Sequence, residues 1–433
     1  MSASDFSIHR SLARADAPAH KSAPATLPPA ADPGQREGAL GTSSGVNIAP
    51  GSDDDGWTVP PPVELSDGTK LQLYKDGEAL HAAYEVIKNA KRRICLEVYI
   101  FANDETGKAF DRLLCEKASQ GVQVYLLYDA VGSLGGGGDV FRQLRRCGGR
   151  VEAFHPIFPW ELKFSWRPWN RDHRKLLVID DDIAGLGGLN IGHSYAGSWV
   201  VSAGKESDLW RDNAMGIRGP GARMFLEAFA ASWRYATRGG RVQRAEYFRN
   251  AHEGELGVIG SVPTVNSPLR PTLHQLLANA RESIQLTMAY FAPDDPLVGA
   301  LCKAAKRGVR VQLMLPGRSD VRFLVAAARS FYEKLMTSGV EVYERQTVVL
   351  HAKTMVIDGY TTLLGSTNLD YRSIEYNLEL SAIVRSRAFG RQVQDLFAND
   401  VRFAKRMTLA EWRKRPTLDR IGQWAVSRAR YLL

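Results

Sequence analysis

Two stretches of this chain carry histidine, lysine, aspartate and asparagine at the same spacing. The first, HRKLLVIDDDIAGLGGLN, spans residues 173–190, and the second, HAKTMVIDGYTTLLGSTN, spans residues 351–368. Because side chains two residues apart on a strand point to the same face, each histidine projects together with the lysine that follows it. These groups suit a phosphodiester, since lysine and asparagine stabilise its non-bridging oxygens while histidine attacks phosphorus or protonates the leaving alkoxide.

Doubling this set places two imidazoles on opposite sides of one phosphorus atom. Histidine suits both the nucleophile and the acid role, because its reference pKa of about 6.5 leaves both protonation states accessible near neutrality. A single histidine–lysine pair on a strand is common and usually has no catalytic role. Two complete copies of the four-residue set, each at the end of a repeat, indicate an active site. A metal centre is the rival interpretation, yet two lysines aimed at the same place would repel a cation. We therefore expect no metal and no cofactor.

The elements that must position these residues are repeated as well. Residues 89–129 and 279–316 each contain a β-rich run, a loop centred on Asp104 or Asp294, an amphipathic helix and a second β-rich run. Such alternation predicts βαβ units and a mostly parallel mixed sheet flanked by helices. Each motif itself predicts a hairpin that returns its asparagine toward its own histidine and lysine. The expected fold is therefore α/β, with two similar lobes and the active site at their pseudo-twofold interface.

Composition divides the 433 residues into three expected segments. Residues 1–56 are rich in Ala, Pro, Ser and Gly, which predicts a disordered tail. Residues 57–250 form the first lobe, and residues 251–433 form the second, which ends in a basic helix. The net charge of 56 − 47 = +9 favours anionic partners such as nucleic acid, an anionic membrane surface or a phosphorylated substrate.

The cysteines and the hydropathy bear on the compartment. The four cysteines show no C-x-x-C pairing, so they fit neither a disulfide scaffold nor a zinc site and suit a reducing compartment. The sequence contains no run of about 18 apolar residues, so we expect no membrane-spanning helix. Its N-terminus lacks an apolar segment of signal-peptide type. We therefore expect any membrane contact to be peripheral and cytoplasmic.

At the twin motifs the chain resembles the phospholipase D superfamily, whose signature is H-x-K-x4-D-x6-G-[GS]-x-N. Both copies fit it: His173, Lys175, Asp180, Gly187, Gly188, Asn190, and His351, Lys353, Asp358, Gly365, Ser366, Asn368. The stretches LEVYIFANDETG (96–107), WRDNAMGIRGPG (210–221) and GSTNLDYRSIEYNLEL (365–380) resemble the bacterial cardiolipin synthase branch, particularly its short members without N-terminal membrane helices. The resemblance covers about residues 57–410.

This resemblance implies transfer of a phosphatidyl group from one phospholipid to phosphatidylglycerol or a related alcohol. One motif histidine would carry a phosphohistidine intermediate, and the other would act as acid and then as base. In the superfamily the nucleophile is usually the N-terminal copy, which implies His173 as nucleophile and His351 as acid and base. The sequence alone does not distinguish the two histidines. Glu379 matches the family position of a carboxylate that orients a catalytic histidine, and Asp212 is its candidate counterpart. A structural ion pair with an arginine is the alternative for each.

The resemblance thus implies three sets of site residues. The catalytic set is His173, Lys175, Asp180, His351, Lys353 and Asp358; the phosphate-binding set is Lys175, Asn190, Lys353, Ser366 and Asn368; the supporting set is Asp212 and Glu379. Expected partners are phosphatidylglycerol, with phosphatidylethanolamine as an alternative donor, and an anionic membrane surface on the cytoplasmic side of the bacterial inner membrane. Nucleic acid is disfavoured, and the oligomeric state is left open. The alternative functions are a hydrolase of phospholipid or nucleic acid with the same residues, and a non-catalytic lipid-binding protein.

Three further segments allow more than one interpretation. The aromatic and basic stretch FPWELKFSWRPWNRDHR (158–174) suits membrane or substrate contact, base stacking on nucleic acid, or a loop that only covers the site. Residues 409–433 suit a membrane-surface helix or one packed on the second lobe. Residues 320–336 predict a helix that packs on the core or on the other lobe, with insertion into lipid as the alternative.

Overall fold

In a computed structural model of the chain, the described residues are 56–134, 138–156, 169–197, 209–237, 254–261, 267–416, 420 and 426. The predicted tail lies outside them except for Gly56, and so does the predicted boundary between the lobes at residues 250 and 251. The described residues form two lobes, each built on an eight-stranded sheet. The two sheets use strands from Val63 to Arg218 and from Leu256 to Met407, respectively.

The first lobe contains nine strands and five helices among its described residues. In chain order they are β1 (Val63–Glu64), β2 (Lys70–Lys75), α1 (Gly77–Lys88), β3 (Arg93–Val98), α2 (Glu105–Ser119), β4 (Gln123–Asp129), α3 (Gly138–Arg146), β5 (Arg150–Phe154), β6 (Leu176–Ile179), β7 (Ile183–Gly187), α4 (His193–Ala196), β8 (Trp210–Arg211), β9 (Asn213–Arg218) and α5 (Ala222–Thr237).

The second lobe repeats this plan with additions. Its elements are β10 (Leu256–Ser261), α6 (Leu269–Asn279), β11 (Ser283–Met288), β12 (Phe291–Ala292), α7 (Asp295–Lys306), β13 (Arg310–Pro316), α8 (Arg322–Arg329), α9 (Tyr332–Thr337), β14 (Glu341–Arg345), β15 (Val349–Leu350), β16 (Lys353–Ile357), β17 (Thr361–Gly365), β18 (Leu369–Asp370), α10 (Tyr371–Glu375), β19 (Glu379–Arg385), α11 (Arg387–Val401), β20 (Ala404–Met407) and α12 (Leu409–Arg413).

Strand order shows the internal repeat directly. The first sheet runs β1-β2-β9-β7-β6-β3-β4-β5, and the second runs β10-β19-β17-β16-β11-β13-β14-β20. The expectation of two α/β lobes with mixed sheets is confirmed. The expectation of mostly parallel pairing is wrong, because within these two sheets only β3-β4-β5 and β11-β13-β14 pair in parallel. The motif hairpins β6–β7 and β16–β17 are antiparallel, as are the strands added beside them.

The two aspartates that the sequence places in loops begin helices. The carboxylate of Asp104 accepts the N–H of Gly107 at 2.9 Å at the start of α2, and that of Asp294 accepts the N–H of Leu297 at 2.9 Å at the start of α7. A capping carboxylate satisfies backbone donors that have no partner within the helix. Both residues therefore fix where the crossover helix leaves the sheet.

A hydrophobic core shared by both lobes fixes their relative position. It combines first-lobe side chains such as Val178, Met215 and Phe229 with second-lobe side chains such as Val356 and Leu364. Buried polar groups add to it, because Arg211 donates to the carboxylate of Asp400 at 2.8 and 2.9 Å across the interface. An apolar interface of this kind resists relative motion of the lobes, so a site built between them is held rigidly.

Two cysteines depart from the expectation of unpaired thiols. Cys115 in α2 and Cys147 just after α3 form a disulfide, with their Cα atoms 5.3 Å apart. The two helices pack side by side on the first sheet, which brings together residues separated by 32 positions. Cys95 and Cys302 are buried and free. The argument for a reducing compartment from unpaired cysteines is therefore withdrawn.

Two of the ambiguous segments are partly described. Residues 320–336 form two helices, α8 and α9, instead of one, and Leu324, Tyr332 and Leu335 are buried as expected for a core-packing segment. In the C-terminal segment Trp412 is buried and Val426 packs beside Leu324, which favours packing on the second lobe. Trp424 and Tyr431 lie outside the described residues. No helix in the described part of the chain has the length and hydropathy needed to cross a bilayer.

Candidate active site

The backbone before each motif histidine is bonded to the opposite lobe. The N–H of His173 donates to the carbonyl of Leu378 at 2.9 Å, and the N–H of Leu378 donates to the carbonyl of Arg171 at 2.8 Å. On the other side, β15 pairs in parallel with β8, and the N–H of His351 donates to the carbonyl of Arg211 at 2.8 Å. Each histidine is thereby held next to the segment that carries the opposite lobe's carboxylate.

The side chains cross between the lobes in the same way. His173 Nδ1 lies 3.0 Å from Glu379 Oε1, and His351 Nδ1 lies 2.7 Å from Asp212 Oδ2. All four side chains are buried. An imidazole that donates Nδ1–H to a carboxylate is fixed in the tautomer whose Nε2 has a free lone pair. The two predicted supporting carboxylates therefore lie where they can orient the histidines, each across the interface.

Further bonds hold the two carboxylates in place. Ser366 Oγ donates to Glu379 Oε2 at 2.5 Å and accepts the N–H of Leu380 at 3.0 Å. Asp212 Oδ1 accepts the N–H of Asn213 at 2.8 Å. Ser366, which the sequence assigns to phosphate binding, thus contacts the carboxylate instead. Since its hydroxyl hydrogen is used there, we reassign it as a positioning residue for Glu379.

The two motif lysines approach the histidines from the same side of each strand. Lys175 Nζ donates to the carbonyl of His173 at 2.6 Å and lies 5.2 Å from the ring centre of Tyr99. Lys353 Nζ lies 3.0 Å from His351 Nε2, the ring nitrogen that accepts when Nδ1 donates to Asp212. Both ammonium groups are buried without a carboxylate bonded to them in the described residues, so they are placed to receive an anion.

Burial sets the protonation states of the histidines and carboxylates. It lowers the pKa of His173 to about 4 even though Glu379 opposes this shift. Burial, with Lys353 and Lys175 nearby, also lowers the pKa of His351 well below its ordinary value. Burial raises the pKa of Asp212 to about 6. Burial also acts to raise the pKa of Glu379, but His173 and Lys175 outweigh it, so the pKa of Glu379 lies below its ordinary value. Before substrate binds, near neutral pH, two neutral imidazoles therefore face two carboxylates.

The lysines predict a loss of activity at alkaline pH. Burial and Lys353 lower the pKa of Lys175 to about 7, and burial lowers that of Lys353 to about 8. Because only the ammonium form stabilises phosphate, we expect kcat/KM to fall as the pH rises through this range. Lys175→Arg, which stays charged, should move the decline to higher pH. A pH profile identical to that of the parent protein would contradict this assignment.

The same shifts act on stability with the opposite sign. The unfolded chain keeps its lysines protonated up to about pH 10.4, so between pH 7 and 9 it binds more protons than the native state. Through these two groups, the free energy of unfolding rises with pH over this window while activity falls.

The two motif asparagines differ in their surroundings. Asn190 Oδ1 accepts the N–H of Ile100 at 3.0 Å, and its Nδ2 donates to the hydroxyl of Tyr195 at 2.8 Å. An amide nitrogen has two hydrogens, so a second N–H remains for a ligand. Asn368 Oδ1 is buried and has no hydrogen-bond partner in the described part of the chain. Both remain candidates for phosphate binding.

Asp180 and Asp358, predicted as catalytic, lie away from the histidines. Each follows the motif strand, seven residues beyond its histidine, which corresponds to about 23 Å of extended chain. Asp180 accepts the backbone N–H groups of Lys91, Arg92 and Arg93 at 2.8, 2.6 and 2.9 Å. Asp358 binds the backbone N–H groups of residues 281–283 in the same manner. Their assignment to the catalytic set does not match this geometry, and we treat them as structural.

The backbone explains why aspartate stands at these turns. Asp180 and Asp358 have φ angles of 51° and 53°, a left-handed conformation that aspartate tolerates better than most residues. We expect Asp180→Ala to lower the free energy of unfolding by about 1–3 kcal/mol, because it leaves backbone donors without their acceptor. Urea unfolding measures this change, and kcat of the folded fraction should stay close to that of the parent. A catalytic defect without lost stability would restore the original assignment.

Aromatic residues around the histidines were not predicted. Tyr99 lies 5.0 Å from the ring centre of His173, and Trp210, Tyr195 and Tyr290 lie 5.1, 5.6 and 6.0 Å from that of His351. Tyr99 and Tyr290 both follow the first strand of their repeat, a signal that the sequence did contain. Their rings exclude water from the histidines and strengthen the electrostatic interactions there.

Part of the aromatic and basic stretch 158–174 is described. Arg171, grouped there with possible headgroup-binding cations, is 2% exposed and lies 3.5 Å from Asp129. It therefore faces the interior and does not contact a membrane. Trp169 is 55% exposed. Trp160, Trp166, Phe158, Phe164, Lys163 and Arg167 lie outside the described residues.

Comparison with known proteins agrees with this geometry. A family model described as "Cardiolipin synthase, PLD-like domain" matches residues 273–401. A cardiolipin synthase of Clostridium perfringens is 33% identical over 364 residues, which cover 82% of this chain and 75% of the relative. One of Geobacillus kaustophilus is 34% identical over 375 residues, with coverages of 85% and 72%.

Solved structures show the same fold. The phosphatidylserine synthase of Haemophilus influenzae superposes with a TM-score of 0.65 and 15% identity, over 86% of this chain and 97% of that chain. A polyphosphate kinase of Porphyromonas gingivalis does so with a TM-score of 0.54 and 14% identity, over 86% and 56%. The sequence relatives decide the family. Because it is identical to cardiolipin synthases at about a third of the aligned positions, over most of their length, this chain is an enzyme that belongs to the cardiolipin synthase branch of the phospholipase D superfamily.

Proposed function

We propose that this enzyme transfers a phosphatidyl group from one phospholipid to the free glycerol hydroxyl of phosphatidylglycerol, or to a related alcohol, through a phosphohistidine at His173. The observation that carries the proposal is the crossed arrangement, in which each buried histidine is bonded through Nδ1 to the carboxylate of the opposite lobe. In this proposal the two Nε2 atoms face one phosphate from opposite sides. A displacement at phosphorus needs a nucleophile and an acid in that relation.

In the first step, His173 Nε2 attacks phosphorus and the bond to the leaving alcohol breaks. We assign this role to His173 from the usual order in the superfamily, since burial lowers the pKa of both histidines and leaves both lone pairs unprotonated at neutral pH. His351 gives the proton on its Nε2 to the departing alkoxide. The carboxylate of Asp212, 2.7 Å from Nδ1, stabilises the imidazolium form of His351 once an anionic substrate is bound.

In the second step, the acceptor alcohol replaces the first one. Its hydroxyl proton passes to His351 Nε2, its oxygen attacks phosphorus, and the phosphorus–nitrogen bond to His173 breaks. Lys175, Lys353, Asn190 and Asn368 stabilise the charge on the non-bridging oxygens in both steps. The site returns to its starting state with no change in net protonation.

We further propose that the substrates are reached at an anionic bilayer surface by peripheral contact. The net charge of +9 supports this, since such a charge attracts the protein to anionic lipid. The exposed indole of Trp169 supports it as well, because tryptophan favours the headgroup region.

The test is mass spectrometry of lipids after incubating the purified protein with EDTA on vesicles of phosphatidylglycerol, with and without phosphatidylethanolamine. We expect cardiolipin with released glycerol or ethanolamine, and full activity in EDTA, because two lysines supply the charge that a metal would otherwise supply. Phosphatidic acid alone would make the enzyme a hydrolase. If no lipid changes, the same assay on DNA and RNA would test the nuclease alternative.

A further inference from the structure

The described part of the first lobe contains an apolar cavity. It lies between helix α1 and the face of strands β6, β7 and β9 and is partly open to solvent, and the space that the centre of a water-sized sphere can occupy amounts to about 110 Å³. Most of the lining side chains are aliphatic, and Lys175 is one of the few polar residues among them.

Small residues create this cavity, as the internal repeat shows. Gly185 and Gly216 pair across β7 and β9, and the equivalent pair in the second lobe is Leu363 and Ile383 on β17 and β19. A Cβ atom added at Gly185 would meet only Leu177, at 3.8 Å. The space above this glycine is therefore open.

The helix over the cavity shows the same substitution. Residues 89–98 align with residues 279–288, so Ala79 and Ala83 of α1 correspond to Leu269 and Leu273 of α6. These two leucines, with Leu363 and Ile383, are buried in the core of the second lobe. Leu269, Leu273 and Leu363 thus fill in the second lobe what Ala79, Ala83 and Gly185 leave open in the first. At Gly216 the ring of Tyr74, 3.0 Å from an added Cβ atom, stands in the place of Ile383.

The position of Lys175 connects this cavity to the active site. Lys175 directly precedes β6 and lies at one end of the cavity, while Ile183 and Arg218 line the other end. Ile179, which pairs with Ile183 at the far end, lies four residues beyond Lys175 along the strand. The cavity is therefore about 13 Å long. A molecule whose phosphate contacts Lys175 could extend an apolar chain along this length.

Solvent access distinguishes the cavity from a packing defect. Ala79, Ala83, Gly185 and Gly216 line it and are only half-buried, as is Tyr74 beside them. Apolar surface that stays in contact with water is unfavourable unless a ligand covers it. The lining offers few hydrogen-bond partners, which suits a hydrocarbon chain and disfavours a polar ligand.

We infer that this cavity binds one acyl chain of the phospholipid whose phosphate lies at the two histidines. The inference rests on the proposed function and specifies its substrate, because it makes a long acyl chain part of the recognition. It also assigns the two lobes different tasks, since large side chains occupy the equivalent positions of the second lobe.

The decisive variant copies the second lobe into the first. Gly185→Leu introduces the side chain that stands at Leu363, and Ala83→Leu provides an independent second filling. Gly299→Leu is the matched control, because a Cβ atom at Gly299 on helix α7 meets nothing within 4 Å. Thermal unfolding of each variant confirms that it folds.

Phosphatidylglycerol with long acyl chains and its dihexanoyl analogue are presented in the same detergent micelles. We expect both filling variants to lose about tenfold or more of kcat/KM on the long-chain lipid, and to stay within about twofold of the parent on the dihexanoyl lipid. The control should match the parent on both. Equal loss on both lipids, or no loss on either, would overturn the inference.

A second readout does not depend on turnover. Phosphatidylglycerol with a diazirine near the end of one acyl chain is photolysed with the full chain, and labelled peptides are identified by mass spectrometry. We expect label in residues 77–88 and 183–187, and none there in Gly185→Leu. Label confined to other regions contradicts the inference. If the parent binds the probe here but makes no cardiolipin, the proposed transfer fails while the chain site stands.

Discussion

Replacement of either motif histidine by alanine is expected to reduce phosphatidyl transfer by about 10⁴-fold or more, because nucleophile and acid each act at the same phosphorus atom. The two variants should nevertheless fail at different points. A phospholipid ester of an acidic phenol needs no proton to release its leaving group. His351→Ala should therefore still react with this ester, release the phenol once, and accumulate a phosphatidyl adduct on His173. His173→Ala should neither release phenol nor carry an adduct.

Stopped-flow absorbance of the phenol, with mass spectrometry of the intact protein, measures both outcomes. His274→Ala is the control, since His274 lies half-buried on helix α6, outside the site. It should keep the activity of the parent. An adduct on His351 in His173→Ala would reverse the two roles, and undiminished transfer in either variant would contradict a single shared site.

Much of the fold follows from local patterns in the sequence. The alternation of strands and helices, the motif hairpins and the duplication are all recorded at fixed spacing, and the structure places Lys175 and Lys353 beside their histidines as that spacing requires. The amount of parallel pairing was overestimated, because the βαβ signal covers only three strands of each sheet. The strands that pair beside each motif hairpin, such as β9 and β19, have no sequence pattern that predicts whether they run parallel or antiparallel to it.

The errors at the site have a common physical cause. The family resemblance placed Asp180 in the catalytic set and Ser366 in the phosphate-binding set, whereas their partners lie outside the motif: backbone donors of residues 91–93 for Asp180, and the carboxylate of Glu379 for Ser366. A motif reports which groups are present and says nothing about where each side chain finds its bond. The disulfide of Cys115 and Cys147 was missed for the same reason.

The pairing across the lobes could not be predicted either. Glu379 lies eleven residues past Asn368 in the second lobe, yet it binds His173, which is 206 positions away. Asp212 lies in the first lobe and binds His351, which is 139 positions away. Sequence proximity would have joined each carboxylate to the histidine of its own lobe. The crossed arrangement arises because the strands before each histidine pair with the opposite lobe.

This crossing leads to the second large effect. Glu379→Gln and Asp212→Asn keep the shape of each side chain but remove the charge that fixes the Nδ1–H tautomer, and we expect losses of about 10²–10⁴-fold in kcat on phospholipid. The acidic-phenol ester separates them. Glu379→Gln should remain slow on it, as His173→Ala does, because the nucleophile is affected. Asp212→Asn should release phenol in a burst and accumulate the adduct, as His351→Ala does.

Two buried carboxyls outside the site provide the controls. Glu344 is bonded to Arg329 and Tyr332 in the second lobe, and Asp111 is buried on helix α2 of the first. Glu344→Gln and Asp111→Asn should alter stability and leave the burst and the adduct unchanged. If the carboxylates served their own lobes, the two test variants would exchange behaviour: Asp212→Asn would block the burst and Glu379→Gln would show it. Because the acidic leaving group removes the need for an acid and for nothing else, this exchange, together with an adduct that forms on His173 in His351→Ala, would identify uncrossed pairing.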